Sequence, residues 1–332
     1  MKHARPSLRS FCASVPLCLC ASFCCASSSA SAQTGPSLVV APWTGSSPLE
    51  FSGGSAVFST DADTPGGRGV DLGSFRGQGR FRPDLEDEKK LTVGFEFNRI
   101  NISSLDPVLP ERLTLGALAL GVGLGEFEAL GWDWQWGVTG GAGVASSDAF
   151  GDEDGYFGLG SVFAVTRPDP RSLLLVAVDY DGNRTIFPDL PLPAVSYTRF
   201  FGEDLSATVG FPFASVRWTP GRWDLSAGIF AIQARARAAY ELSEQLTVFA
   251  QFGSRTEAFH VDGAPDNRRL FYSVESVSLG ADLDLVENLS LTGSVGFAFN
   301  HEFESGFDAR DLDTVRELDP GVFFGLSVGV KF

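Results

Sequence analysis

The chain has 332 residues, 44% of them hydrophobic, with 38 glycines, 29 phenylalanines and a formal net charge of -16. An acidic balance of that size repels a phosphate backbone, so no nucleic-acid partner is expected. After residue 32 no stretch approaches the roughly twenty apolar residues of a membrane helix, which excludes helical spans. Aromatic and glycine enrichment instead suits an all-β chain.

The first residues read as a targeting segment. Lys2, Arg5 and Arg9 are basic, an apolar stretch runs from Phe11 to Cys25, and small residues continue from Ala26 to Ala32. Ala30-Ser31-Ala32 fits the small-x-small cleavage rule, which places the mature start near Gln33. Residues 1–32 are therefore expected to be a cleaved signal peptide. No cysteine is preceded by the small residue that a lipoprotein signal requires. Cys12, Cys18, Cys20, Cys24 and Cys25 all lie in the leader, so the exported body holds no disulfide, thiol nucleophile or cysteine-bound zinc.

Residues 33–68 are rich in Ser, Gly, Pro and Thr and read as a flexible periplasmic segment or a plug. From residue 69 onward apolar and polar side chains alternate with period two, the mark of strands with one apolar face. Leu91, Val93, Phe95 and Phe97 oppose Thr92, Gly94, Glu96 and Asn98. Trp132, Trp134 and Trp136 share one face against Asp133 and Gln135. Leu205 to Phe213 repeats the pattern. Ala234, Ala236, Ala238, Tyr240 and Leu242 oppose Arg235, Arg237 and Glu241. Val277 to Leu285 opposes a face carrying Asp282 and Asp284, and Leu289, Leu291, Val295, Phe297 and Phe299 oppose small polar residues.

Alternation alone fits either a soluble sandwich or a lipid-facing barrel. Many segments run longer than the five or six residues typical of soluble strands, nearer the 9–11 that a membrane strand needs. Tight connections at Thr219–Arg222, Ser243–Gln245 and Val286–Asn288 interleave with longer polar stretches at His260–Arg269 and Glu302–Asp319. Around Ile229–Ala234 one long strand and a tight hairpin both fit, and a helical turn is expected within Asp308–Leu318.

The last strand adds a resemblance. Phe324, Leu326, Val328, Val330 and Phe332 alternate with small or polar residues up to the terminal carboxylate. This resembles the C-terminal signature of bacterial outer-membrane β-barrels, and the overall look of residues 69–332 is similar to their uncharacterised families. The resemblance implies a transmembrane antiparallel up-and-down barrel in the outer membrane, recognised by the barrel-assembly machinery through that strand. Membrane-strand lengths give about 12–14 strands.

On this reading Glu96, Asp133, Arg235, Arg237, Glu241, Asp282 and Asp284 are the charges expected in the lumen. Trp132, Trp134, Trp136, Phe297 and Phe299 are expected against lipid. The expected function is passive passage of small solutes or a structural role, with no cofactor or metal. Two alternatives stay open. His301 beside Glu302 and Ser305 could form a hydrolase cluster at the outer rim, and the body could be a soluble exported ligand-binding β-barrel. Asp61-Ala-Asp63, Asp152-Glu-Asp154 and Asp311-Leu-Asp313 are oxygen-rich, yet none completes a calcium loop. His260-Val-Asp262 is equally thin as a catalytic pair, and Gly73, Gly77 and Gly79 lie in a strand-like segment with no helix to cradle a phosphate.

Overall fold

A computed structural model describes residues 49–60, 70–83, 91–104, 106, 108–149, 151–265 and 268–332. The expected leader, the start of the N-terminal segment and the Asp61-Ala-Asp63 pair lie outside the described residues.

The described chain is almost entirely strand: β1 (Leu49–Thr60), β2 (Val70–Phe81), β3 (Thr92–Ser104), β4 (Arg112–Ala129), β5 (Trp132–Ser146), β6 (Tyr156–Thr166), β7 (Ser172–Asp181), β8 (Leu192–Phe200) and β9 (Leu205–Phe211) form the first part. The rest are β10 (Phe213–Trp218), β11 (Trp223–Phe230), β12 (Gln233–Ser243), β13 (Leu246–Phe259), β14 (Arg269–Val286), β15 (Leu289–Gly306), β16 (Asp313–Leu318) and β17 (Gly321–Lys331). Each strand pairs antiparallel with its neighbours, and β17 pairs with β1 from Glu50↔Lys331 to Ser59↔Val322. The sheet therefore closes. Because β16 and β17 both pair with β15 and are split only at Asp319–Pro320, they make one wall strand, and the barrel has sixteen.

Three expectations are corrected by the wall itself. The wall begins at Leu49, inside the stretch read as a flexible segment or plug. The inner face of β1 carries Glu50, Ser52, Gly54 and Ala56, and Gly53 and Ser55 interrupt its outer face, so its alternation is faint. The strand number exceeds 12–14 because β9, β10 and β11 have only 7, 6 and 8 residues, below the length used for counting. The joint at 229–234 is a hairpin, with Ala231 at φ 50° in its turn. The helical turn expected within Asp308–Leu318 is instead a loop followed by β16, because Asp313–Leu318 alternates in register with the end of β15.

Alternate residues put apolar side chains on the outside. Phe324, Leu326 and Val328 are 64%, 56% and 37% exposed, and Leu279 and Val209 on other strands are equally open. A soluble barrel would reverse this, because water solvates polar groups. Closure pairs the backbone throughout the wall, which is the condition for crossing a bilayer with strands. The outer surface is thus that of a transmembrane barrel. The described tryptophans gather at the end holding Leu49 and Phe332: Trp132, Trp134 and Trp136 start β5, Trp218 ends β10 and Trp223 starts β11. Trp223 packs on Tyr240 at 4.9 Å, and Trp134 lies between Phe127 and Trp132. Amphipathic aromatics gathered at one level of the wall belong at a membrane interface. The connections at that end are short, as at Leu130–Gly131, whose φ values of 58° and 76° match the two-residue turn that joins twisted strands.

At the opposite end the barrel is pinched. The tips of β5 and β13, half-way around the wall from one another, meet in a backbone bridge. Ser147 N donates to His260 O and His260 N donates to Ala145 O, both at 2.9 Å. The lumen at the loop end is thereby divided into two lobes.

Candidate functional site: the lumen

Inward positions change character along the barrel axis. At the terminus end they are mostly small and polar: Ser276 and Ser278 on β14, Ser290, Thr292 and Ser294 on β15, Ser327 on β17. Ion pairs reach across this layer. Arg237 pairs with Asp282, which also accepts from Thr292 Oγ1 at 2.7 Å, and Arg237 lies 4.3 Å over the Phe249 ring. Arg80 pairs with Glu50, whose other oxygen is 3.9 Å from Lys331 Nζ.

Midway, a denser network crosses from β13 to β2 and β3. Glu257 has no solvent exposure; it accepts from Arg76 and from Asn98 Nδ2 at 2.5 Å, and Arg255 Nε stands 3.6 Å away. Arg255 lies 5.5 Å over the Tyr272 ring, and the Tyr272 hydroxyl is hydrogen-bonded to His301 Nε2 at 2.8 Å. A buried carboxylate persists only when its charge is met, and here two guanidiniums and an amide meet it. Among the described residues Glu96 Oε1, Asn98 Oδ1 and His301 Nδ1 keep no hydrogen-bond partner.

Beyond this network, the lobe between β13 and β5 by way of β1 is filled with apolar side chains. Phe58, Val70, Leu72, Ile100, Leu113, Phe259 and Phe303 form a dry core there. Across the pinch, Phe163, Leu175 and Ala177 cluster in the other lobe, below an Arg184–Asp179 pair at 2.7 Å. The loop 182–191 leans over both. Asn183 Nδ2 donates to Ala258 O at 3.0 Å, and Ala309 N donates to Thr185 O at 2.8 Å. Arg269 ties it down, donating to Asn183 Oδ1 at 3.2 Å, Arg184 O at 3.1 Å and Phe307 O at 2.8 Å. His260 faces a cavity of about 280 Å³ with Asp154, Tyr180 and Asp189. Burial, and next the nearby Arg269, hold the imidazole pKa below its usual range.

The residues singled out from sequence fall as follows. Glu96, Arg235, Arg237 and Asp282 point into the barrel. Asp133, Glu241 and Asp284 are exposed at the terminus-end mouth, because each stands at a strand end; bulges at Glu241/Ser243 and Asp284/Val286 also displace the last two. Trp132, Trp134, Trp136, Phe297 and Phe299 occupy the outer face, Trp134 covered by its aromatic neighbours and Phe297 44% exposed. Phe324, Leu326, Val328, Val330 and Phe332 share that face on the closing strand.

The hydrolase cluster is not assembled. His301 is 1% exposed, turned inward against Phe58 and Tyr272 by the bulge at Asn300 (φ 45°), while Glu302 takes the other face of β15. The acidic pairs brace the loops: Asp152 accepts from Ser146 Oγ at 2.6 Å within its own connection, and Asp313 accepts from Arg268 of the β13–β14 connection at 2.6 Å. No group of three metal-ligating side chains occurs among the described residues. Gly73, Gly77 and Gly79 lie in β2. Sequence reading missed Arg76, Arg255, Glu257 and Arg269. Carrying the alternation of Leu246–Gly253 four residues further places Arg255 and Glu257 inside; nothing local marks Arg76 as their partner.

No family model and no curated protein matches the chain. Its fold is similar to several solved barrels. One is the Acinetobacter baumannii outer membrane protein Omp33, 11% identical over 86% of this chain and 98% of that one, with a TM-score of 0.36. Another is a Pseudomonas aeruginosa FadL homologue, 12% identical over 89% and 92%, with a TM-score of 0.38. A third is an outer membrane channel from Pseudomonas putida F1, 12% identical over 87% and 96%, with a TM-score of 0.36. These likenesses are distant, and no residue role is carried over from them.

Proposed function

We infer that the protein is an integral outer-membrane barrel for passive transport, held closed at its loop end in the state described. The observation that carries this reading is the contrast between the two ends of the lumen. Small polar side chains with opposed charges line the terminus end, which suits water and polar solutes. The loop end is shut by the pinch, the dry lobe and the Arg269 clamp. A barrel with only a structural role would gain nothing from a wettable vestibule beneath a clamped lid.

Planar-bilayer conductance of the refolded protein tests the reading. The wild type should give rare, brief steps, and Arg269→Ala should raise their frequency by freeing loops 182–191 and 307–312. Silence in both proteins, with folding verified by heat-modifiable gel migration, would leave a structural barrel. Large permanent steps in the wild type would contradict the closed lid.

A further inference from the structure

The wall is not of even height. β14 and β15 have 18 residues each, whereas β9, β10 and β11 have 7, 6 and 8. At about 3.3 Å per residue the short strands reach about 20–26 Å along their own direction. A tilt of about 40° reduces that to roughly 15–20 Å of height, against an apolar band of about 25 Å. Trp218 and Trp223, 48% and 47% exposed, place the lower ends of β10 and β11 at the terminus-side interface. Their upper tips therefore stop within the apolar layer.

The composition of the tips agrees. The β9–β10 turn is Phe211-Pro212-Phe213 and the β11–β12 turn is Ala231-Ile232, with no polar side chain, whereas the other described loops at that end carry Asp, Asn or Glu. Phe211, on the outer face, and Ile232, in the turn, are 55% and 46% exposed. The two tips satisfy one another's backbone through Ala231 N donating to Pro212 O at 2.9 Å, as irregular backbone at membrane depth must. On the lumen side Phe213 and Phe230 stack at 6.4 Å and form an apolar sill.

Just beneath the sill stands Arg235. Its wall neighbours in register are Gly228 and Gly253, and a Cβ built on Gly253 would meet nothing within 4 Å. Among the described residues no carboxylate pairs with Arg235, and the charge acting on it is another guanidinium, Arg237, itself committed to Asp282. A lumenal guanidinium beside open space and below an apolar sill is complementary to one negative charge carried on an apolar tail.

We propose that the lumen opens sideways over the low wall of β9–β12 into the outer leaflet, and that Arg235 receives the head of a long-chain carboxylate crossing that sill. The inference rests on the transport reading and names its substrate class. One free cation matches one negative charge, so a carboxylate fits better than a doubly charged phosphate monoester. With the loop end clamped, the low wall is the exit left between lumen and membrane.

The test is photolabelling of the folded barrel in zwitterionic-lipid nanodiscs. The probes are a diazirine-bearing C16 carboxylate, the C16 alcohol and the C16 phosphate, each with the same diazirine. The carboxylate should label the peptide spanning Phe211–Arg235. Arg235→Gln should cut that labelling roughly tenfold or more, and Arg235→Lys should restore part of it. The alcohol should label the outer face without regard to Arg235. Labelling at the sill that is indifferent to Arg235→Gln, or confined to outward residues, would overturn the proposal. Stronger labelling by the phosphate would overturn the choice of carboxylate. Heat-modifiable migration shows that Arg235→Gln folds. The Arg269→Ala conductance result is independent of these labels, so the transport reading and this one fail separately.

Discussion

Glu257 offers the sharpest quantitative prediction. Replacing it by Gln keeps the shape but removes the charge that meets Arg76 and Arg255 and turns one of the two acceptor oxygens shared by Arg76 and Asn98 into a donor. Breaking a buried ion pair costs about 3–5 kcal/mol, because the surviving charge stays desolvated. The side chains of Arg76 and Arg255 are 15% and 20% exposed, so both keep some hydration and the lower end, about 3 kcal/mol, is expected. The assay is guanidinium unfolding in lipid vesicles, followed by tryptophan emission and by the heat-modifiable band. The Arg76→Met, Glu257→Leu double variant should recover about half the loss, because the Arg76 charge leaves with its partner while Arg255 stays unmatched, and the two changes are then non-additive. A Glu257→Gln cost below about 0.5 kcal/mol, or strict additivity in the pair, would refute the view that this network braces the lumen.

Other consequences are open to direct measurement. Phe332 N donates to Leu49 O at 2.9 Å and Leu49 N to Phe332 O at 3.2 Å, so the terminal residue closes the wall. Its deletion should lower the folded fraction after a fixed refolding time, and unchanged assembly would count against the closing role. A Cβ on Gly296 would be driven into the Phe323 ring and towards Val277 O, so Gly296→Ala should cost about 1–3 kcal/mol in vesicle unfolding. Hydrogen bonds from the Arg310 side chain, with help from backbone N–H groups of Arg310 and Phe187, hold the Asp308 carboxyl below the usual carboxylate range. A depressed acid stabilises above its unfolded pKa, near 4, and that stabilisation fades as pH falls through the lower folded value. Amide exchange at Phe187 and Ala309, corrected for intrinsic rates, should stay flat from pH 7 to about 5 and accelerate below about 4. Asp308→Asn should be fast throughout, and a wild type indifferent to strong acid would contradict the assignment.

Much of the wall was legible because each strand shows its two faces locally. The alternation at Leu289–Phe299 and Phe324–Phe332 needs no partner to be seen, and the tight turns mark the terminus end. β1 escaped notice because glycine and serine fill much of both its faces. β9–β11 escaped a length-based count because they are shorter than a full crossing. Arg235, Arg237, Glu96 and Asp282 could be placed inside by parity alone. What meets what could not be, since Arg237 and Asp282 are 45 residues apart in sequence and Arg76 and Glu257 are 181 apart. The bridge between Ser146 and His260 is likewise a property of closure, carried by backbone atoms that any residues would supply. His301 misled because a single bulge at Asn300 reverses which residues face inward after it.

Alternate residues of the closing strand face lipid and lumen. The only cysteines in the chain lie in its first 25 residues, so a protein produced from residue 33 onward has none, and single cysteines can be placed in it along Val322–Lys331 and spin-labelled. Labels at 322, 324, 326 and 328 should collide with dissolved oxygen, and labels at 325, 327 and 329 with a polar nickel chelate, in strict alternation. Equal nickel accessibility at all of these positions would mean that no lipid-facing surface exists, and would contradict the transmembrane barrel.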